Sequence, residues 1–248
     1  MAKFLKLFAQ HAEYQQYAEG DNMVLPNVSL CKQESELHYN PMPETRVIAT
    51  FFVSDASKKT QVIGMDGDGV PGLSYDKIEC DGIDITNDVP TDYGNDHCKY
   101  PLTEGYHTIK YTLTNVEDMA NGTTEYAPFM GCDKLVDIQL PITLKIINWN
   151  CFRNCTSLTS ITIPKNVSEL DWQCFYGCTS LQHVISLPIV PPTYKGSGGF
   201  PYWFCSNYTP APNGTILPSL QDITVPSQSL EDYKAERYWS VFQNLIKA

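Results

Sequence analysis

FRNCTSLTSITIP, residues 152–164, decides the fold, because the chain repeats it. Nearly the same pattern reads FMGCDKLVDIQLP from Phe129 and FYGCTSLQHVISLP from Phe175. Phe129, Phe152 and Phe175 stand 23 residues apart, as do Cys132, Cys155 and Cys178, and Leu135, Leu158 and Leu181. A fixed period in this range marks a solenoid, whose single units cannot bury their own apolar faces. Within a unit, Leu158, Ile161 and Ile163 are expected on the inward side of a short strand ending at Pro164. Ser160 and Thr162 alternate with them and should face out. A second apolar step follows, Val167 and Leu170 here and Leu144 and Ile147 one unit earlier, predicting another short strand or turn. Each unit reads as one coil of a right-handed spiral.

The pattern FxxCTSLTSITIP, then an apolar and a small residue before the next Phe, resembles the BspA-type leucine-rich repeat family. Such repeats occur in surface and secreted proteins of oral and gut anaerobes. The likeness runs over roughly residues 123–226 and implies the fold, leaving the activity open. The family's small residue near the Phe is Ala127, Cys151 and Cys174 here. Its Ile-Gly step is replaced by Ile147-Asn148 and Leu170-Asp171, which should alter that turn. Near the N-terminus, HAEYxxY, LPNVSLC and HYNP are similar to a leader of gut-bacterial repeat proteins and of phage surface proteins.

Composition bounds the partners. The 248 residues carry a net charge of −11, with a pI near 4.8, and the 17 Lys and Arg do not cluster. Nucleic acid and anionic membrane both need a basic footprint, so neither is expected as a partner. No apolar run approaches the ~20 residues that span a bilayer, so membrane insertion is not expected. Nine cysteines are an odd number, and five of them fall on two repeat positions: Cys132, Cys155 and Cys178 on one, Cys151 and Cys174 on the other. Stacked units would put these in columns of small buried hydrophobes; a disulfide between coils is the alternative, strained if the strands keep normal spacing. Cys31, Cys80, Cys98 and Cys205 show no zinc-ligand spacing.

In chain order, MAKFLKLFAQHAEYQQYAEG lacks the uninterrupted apolar core of a signal peptide and reads as an amphipathic helix. A hairpin is expected from Leu25 to Pro41, completing an N-terminal segment at 1–44. Residues 45–118 alternate with period two: RVIATFFV from Arg46, YDKIECDGIDI turning at Asp81-Gly82, and HTIKYTL from His107. These predict a small antiparallel β-domain whose last strand runs into the solenoid and caps its apolar end, with Tyr111 and Leu113 in the places of Ile161 and Ile163. The solenoid should fill 119–226, interrupted near 190–217 by PPTYKGSGGFPYWFCSNYTPAPNGTILPS. LQDITVP then resumes the repeat, Leu220 standing 39 residues after Leu181, so the insertion adds 16. A capping helix is expected at 227–248, with Ser229 as N-cap and Glu231 and Asp232 in its first turn. Tyr233, Trp239, Phe242 and Ile246 should close the solenoid. The fold class is therefore mainly β: a small antiparallel β-domain, a short right-handed leucine-rich-repeat solenoid and a C-terminal capping helix.

Motifs of catalysis are missing. MDGDG at Met65 lacks the Glu of a calcium loop and reads as a surface turn. His97-Cys98 are adjacent, so a strand would point them to opposite faces. KGSGGF at Lys195 lacks the phosphate-loop spacing, and there is no GxSxG, HExxH or GxGxxG. No catalytic residue, cofactor or metal is expected.

Two aromatic features point to binding. Tyr126, Trp149 and Trp172 share one repeat position and should form a ladder along a flank, either as bracing that covers coil edges or as a platform for sugar rings or an apolar partner surface. The insertion holds Tyr194, Phe200, Tyr202, Trp203, Phe204 and Tyr208, which either fold back on the core or make an exposed patch. Outward strand positions Asp137, Gln139, Ser160, Thr162, His183, Ile185, Asp222 and Thr224 should form one continuous surface. Tyr202 and Trp203 would anchor a partner beside it. The expected function is a non-enzymatic recognition or adhesion module for a protein or glycan, at a bacterial surface or secreted. The alternative is a structural or host-recognition component of a phage virion, docked through the N-terminal helix and hairpin. An uncharacterised enzyme ranks third.

Overall fold

The computed structural model describes residues 45–65, 71–91, 96–115, 117, 127–195, 202–206 and 216–248. By its internal contacts the chain divides into Met1–Pro41 and Met42–Ala248, and every described residue belongs to the second unit. The expected N-terminal helix and hairpin, Tyr126, Phe200, Tyr208 and most of the MDGDG loop lie outside the described residues.

Strong alternation builds the first sheet. In β1 (Arg46–Val53), Val47, Ala49, Phe51 and Val53 are all buried. β3 (Tyr75–Cys80) and β4 (Ile83–Asp84) form the expected hairpin. Its turn residues Asp81 and Gly82 both take positive φ (50° and 83°), the backbone that suits the twist of a two-residue hairpin. β6 (Gly105–Leu113) pairs antiparallel with both β1 and β3. A separate two-stranded piece, β2 (Thr60–Gln61) with β5 (Lys99–Tyr100), lay unread in the sequence.

The junction with the repeats differs from the expectation. The first repeat strand, β7 (Leu135–Gln139), joins this sheet in the order β4-β3-β6-β1-β7. Its neighbour is β1, antiparallel, and not the last strand β6. Thr50 faces Asp137 while Phe51 faces Leu135, so Val136 is bulged out. Tyr111 nevertheless caps the repeat core: it is fully buried, its hydroxyl donates to the Val62 carbonyl at 2.6 Å, and its ring meets Phe129 edge-on at 5.5 Å. Gly64 seals the same seam, since a Cβ there would collide with the Ala127 and Met130 backbone.

Beyond β7 the strands run parallel. β9 (Ser160–Ile163), β11 (His183–Ser186) and β13 (Asp222–Thr224) form one sheet, with His183 opposite both Ser160 and Asp222. β8 (Ile146–Ile147), β10 (Glu169–Leu170) and β12 (Thr193–Tyr194) form a second. Leu158, Ile161, Ile163, Val167 and Leu170 are buried as expected. A third row of bonds links the turns: the amides of Phe129 and Phe152 donate to Cys151 and Cys174, each at 2.8 Å. Those of Gly131, Asn154 and Gly177 donate to Arg153, Tyr176 and Cys205. Gly131, Asn154 and Gly177 share one repeat position and one left-handed conformation (φ 76°, 61° and 74°). In the altered Ile-Gly step, the Asp171 carboxylate accepts the Trp172 amide at 2.7 Å.

Phenylalanine rings stack through the centre. Phe129–Phe152, Phe152–Phe175 and Phe175–Phe204 lie 5.6, 5.3 and 5.3 Å apart, with interplanar angles of 3°, 5° and 15°. Phe204 corrects the reading of the insertion. It occupies the rung after Phe175 although 29 residues separate them, so six of the sixteen extra residues precede this rung and ten follow it. The insertion is split in sequence by a repeat element that stays in place.

The C-terminal segment is mainly short pieces. The helix α1 (Leu230–Ala235) has six residues, and the chain returns as β14 (Ile246–Lys247), a parallel neighbour of β13. Ser229 stands at the N-cap position but makes no side-chain cap bond; its buried hydroxyl has no partner. Tyr233, Trp239, Phe242 and Ile246 are buried as predicted. Tyr233 Oη bonds Ser186 Oγ (2.8 Å) and the Pro188 carbonyl (2.9 Å), and Trp239 Nε1 donates to the Pro192 carbonyl (2.8 Å). The described chain is thus mainly β, with one short helix near its C-terminus.

Candidate recognition surface

The outward stripe exists, but on fewer strands than expected. Ser160, Thr162, His183, Asp222 and Thr224 lie half-exposed on β9, β11 and β13, and their registers place them side by side. Asp137 and Gln139 are also half-exposed, yet β7 is hydrogen-bonded to β1, opposite Thr50 and Ile48. β7 packs near β9 without a ladder between them, so the eight residues do not form one sheet face. Ile185 departs further. At 8% exposure, set between Thr162 and Thr224, it is buried rather than offered. The stripe gains a member from the C-terminus: Asp222 Oδ2 is met by His183 Nδ1 at 3.0 Å and by Lys247 Nζ at 3.1 Å. One carboxylate therefore sits between two cationic or hydrogen-bonding groups, and the edge is charge-balanced.

Trp203 cannot be an exposed anchor. It is fully buried, packed against Trp239 at 5.4 Å and Tyr238 at 6.1 Å. Together with Phe204, Phe242 and Tyr233 it plugs the end of the repeat core, because an aromatic of this size gains most where water is excluded. Tyr202 next to it remains half-exposed, with φ 51°. On the flank, Trp149 and Trp172 meet at 5.5 Å with their rings tilted by 48°, both half-buried, and the Arg153 guanidinium lies 5.4 Å from the Tyr176 ring. Ile189 and Val190 stand 60% and 76% exposed, an apolar turn the strand patterning passed over. The signal was present in LPIVPP, where two branched apolar residues sit between prolines that forbid a regular strand.

The cysteine columns are as buried as their repeat positions require. Cys132, Cys151, Cys155, Cys174 and Cys178 are free thiols with no exposure. Cys155 and Cys178 donate to the carbonyls of Phe129 and Phe152, at 3.1 and 3.0 Å. Burial pushes all five thiols up, Cys178 to about 12. They are chemically quiet.

One group among the described residues has metal-ligand chemistry: Cys80, Asp81 and His107, at the β3–β4 turn and on β6. Sequence spacing does not suggest it, since the sheet register alone brings His107 to the turn. Burial, then the Asp81 charge, raises the Cys80 thiol to about 12. No helix among the described residues is long and apolar enough to cross a membrane.

Comparison with known proteins agrees with the repeat reading. The family model for the BspA type leucine rich repeat region matches residues 122–193, in six copies. The repeat elements continue past that match, through Phe204 and β13. No curated protein matches the chain.

Proposed function

We propose that this chain, whose residues 122–193 match the BspA type leucine rich repeat region, is a non-enzymatic recognition module that binds a protein or glycan through a short right-handed solenoid. The observation that carries the reading is the polar row Ser160, Thr162, His183, Asp222 and Thr224 on three strands in register. Paired strands lie about 4.8 Å apart, so this row is a nearly flat, preformed surface with no core to maintain. Half-exposed Tyr202, Trp149 and Trp172 add amphipathic rings, which contribute much contact area for little lost side-chain entropy. Surface display or secretion from a bacterium is supported by the surface association of the family. A division into N-terminal segment, β-domain, solenoid and cap is part of the same proposal.

The test is a binding screen against immobilised glycans and extracellular-matrix proteins, repeated with a Thr162→Arg/Thr224→Arg double variant. Two long cations on the row should weaken binding at least tenfold while the melting temperature stays unchanged. Undiminished binding by the double variant would move the contact off this row.

A further inference from the structure

Cys80 ends β3, Asp81 opens the turn, and His107 lies on the neighbouring strand β6. Cys80 Sγ is 3.8 Å from Asp81 Oδ2, and His107 Nδ1 is 2.7 Å from the same oxygen. All three ligand atoms fall within 4.8 Å of one another. The group is fixed from behind. Asp81 Oδ1 accepts the Thr108 amide at 2.8 Å, and His107 Nε2 lies 2.9 Å from the Thr103 carbonyl oxygen.

That last contact sets the chemistry. A carbonyl oxygen only accepts, so Nε2 carries the hydrogen; the Thr103 hydroxyl, at 3.3 Å, is the longer contact. In the neutral ring, Nδ1 then aims a lone pair at a carboxylate oxygen that also offers only lone pairs. Two acceptors at this separation call for a positive charge: a second proton on the ring, or a metal ion shared by both. A histidine held through its distal N–H by a backbone carbonyl is also how metal-ligating imidazoles are oriented. The thiol beside the pair, which donates to the same carboxylate oxygen, supplies a third ligand of a soft type.

We propose that Cys80 Sγ, Asp81 Oδ2 and His107 Nδ1 form a site for a divalent cation of the zinc class, with solvent at the fourth position. Sulfur, nitrogen and one carboxylate oxygen are the zinc donor set, whereas calcium and magnesium take oxygen throughout. Tetrahedral zinc, with bonds of about 2.0–2.3 Å, holds ligand atoms roughly 3.3–3.6 Å apart. The 2.7 and 3.8 Å separations reach those values by shifts of about half an ångström. Cys80 binds as the thiolate, and its proton passes to water. The Asp81 side chain is 38% exposed while that of His107 is 11% exposed, so the ion enters from the turn. Once bound, it clamps the β3–β4 hairpin to β6.

Full-length protein, stripped with a chelator, is titrated with cobalt(II) as the spectroscopic probe and then with zinc. One cobalt per chain is expected, with a sulfur-to-metal charge-transfer band that zinc abolishes. Cys80→Ser should lose the band, and His107→Gln should weaken cobalt binding tenfold or more. His183→Gln should change neither. Circular dichroism of each variant verifies the fold, and zinc should raise the melting temperature of the unmodified chain but not of Cys80→Ser. Absence of a thiolate band in the unmodified protein overturns the proposal. So does a band that survives Cys80→Ser, since the ion would then sit on another cysteine.

Discussion

β7 and β9 are built from the same repeat, 23 residues apart in register, yet they live in different sheets. β9 has a copy of itself for a neighbour and pairs parallel with β11. β7 has no earlier copy, and β1 takes that place antiparallel, at the cost of a bulge at Val136. The motif thus dictates a local conformation, inward Leu and Ile with a left-handed turn before them. It does not dictate the partner. A chain of repeats ends where another element can satisfy the open strand edge and cover the apolar face, and β1 with Tyr111 does both.

Alkaline pH should give the largest effect. Eight described thiols are buried, and burial places each folded value above that of the unfolded chain, near 12 for Cys80, Cys98, Cys178 and Cys205. A raised folded value means stability is full below the unfolded thiol range, about 8.5, and falls as pH climbs toward 12. Each thiol that ionises on unfolding removes about 1.4 kcal/mol per pH unit. Five of the eight sit in the repeat columns, and all four tryptophans, Trp149, Trp172, Trp203 and Trp239, follow the first repeat strand, so tryptophan fluorescence should report unfolding there from about pH 9 upward. A flat profile to pH 11 would mean these thiols are not buried.

Next in size are the central rings. Phe152→Ala opens the regular part of the column and Trp203→Ala the aromatic plug at its end; each should cost about 3–5 kcal/mol in a denaturant titration. A Trp203→Ala protein of undiminished stability would return this side chain to the surface as an exposed anchor. Leu158→Ala should cost roughly 2–5 kcal/mol, against about 0.5 kcal/mol or less for Thr162→Ala on the outer face. Equal losses would break the strand register. The smallest contrast lies in the turns. Gly177→Ala meets both a left-handed backbone and Asn154 Oδ1, whereas Gly131→Ala meets only the backbone. Both should destabilise, Gly131→Ala by about 1 kcal/mol and Gly177→Ala by more. Melting temperatures of the pair decide it.

Period and alternation made much of this legible. RVIATFFV, the hairpin at Asp81-Gly82 and the inward Leu and Ile of the repeats were readable because each signal is local. What stayed hidden depends on pairing. Nothing in LVDIQ says that its neighbour is β1, and nothing in SVFQNLIKA says that Ile246 returns to β13. Phe204 was concealed for a different reason: the residues inserted on both sides displace its rung from the 23-residue count, and Trp203 and Asn207 stand where the motif has Cys. The surface row was only partly legible, since alternation gives the face of Ser160 and Thr162 but not the burial of Ile185 between two β-branched neighbours. Cys80 and His107 are 27 residues apart and meet only through the β3–β6 register.

The phenylalanine column works as a ruler for growth. Its rungs recur every 5.3–5.6 Å with rings nearly parallel, so a duplicated stretch of DNA is accommodated only if it encodes a whole rung-to-rung unit. Duplicating 23 codons would lengthen the core by one ring thickness and widen the outer row by one strand, leaving both end plugs as they are. Extra codons in any other number must fall between rungs, as six and ten residues do on either side of Phe204. Descendants of this chain can therefore change reach in steps and change loops continuously, two independent routes to a new partner.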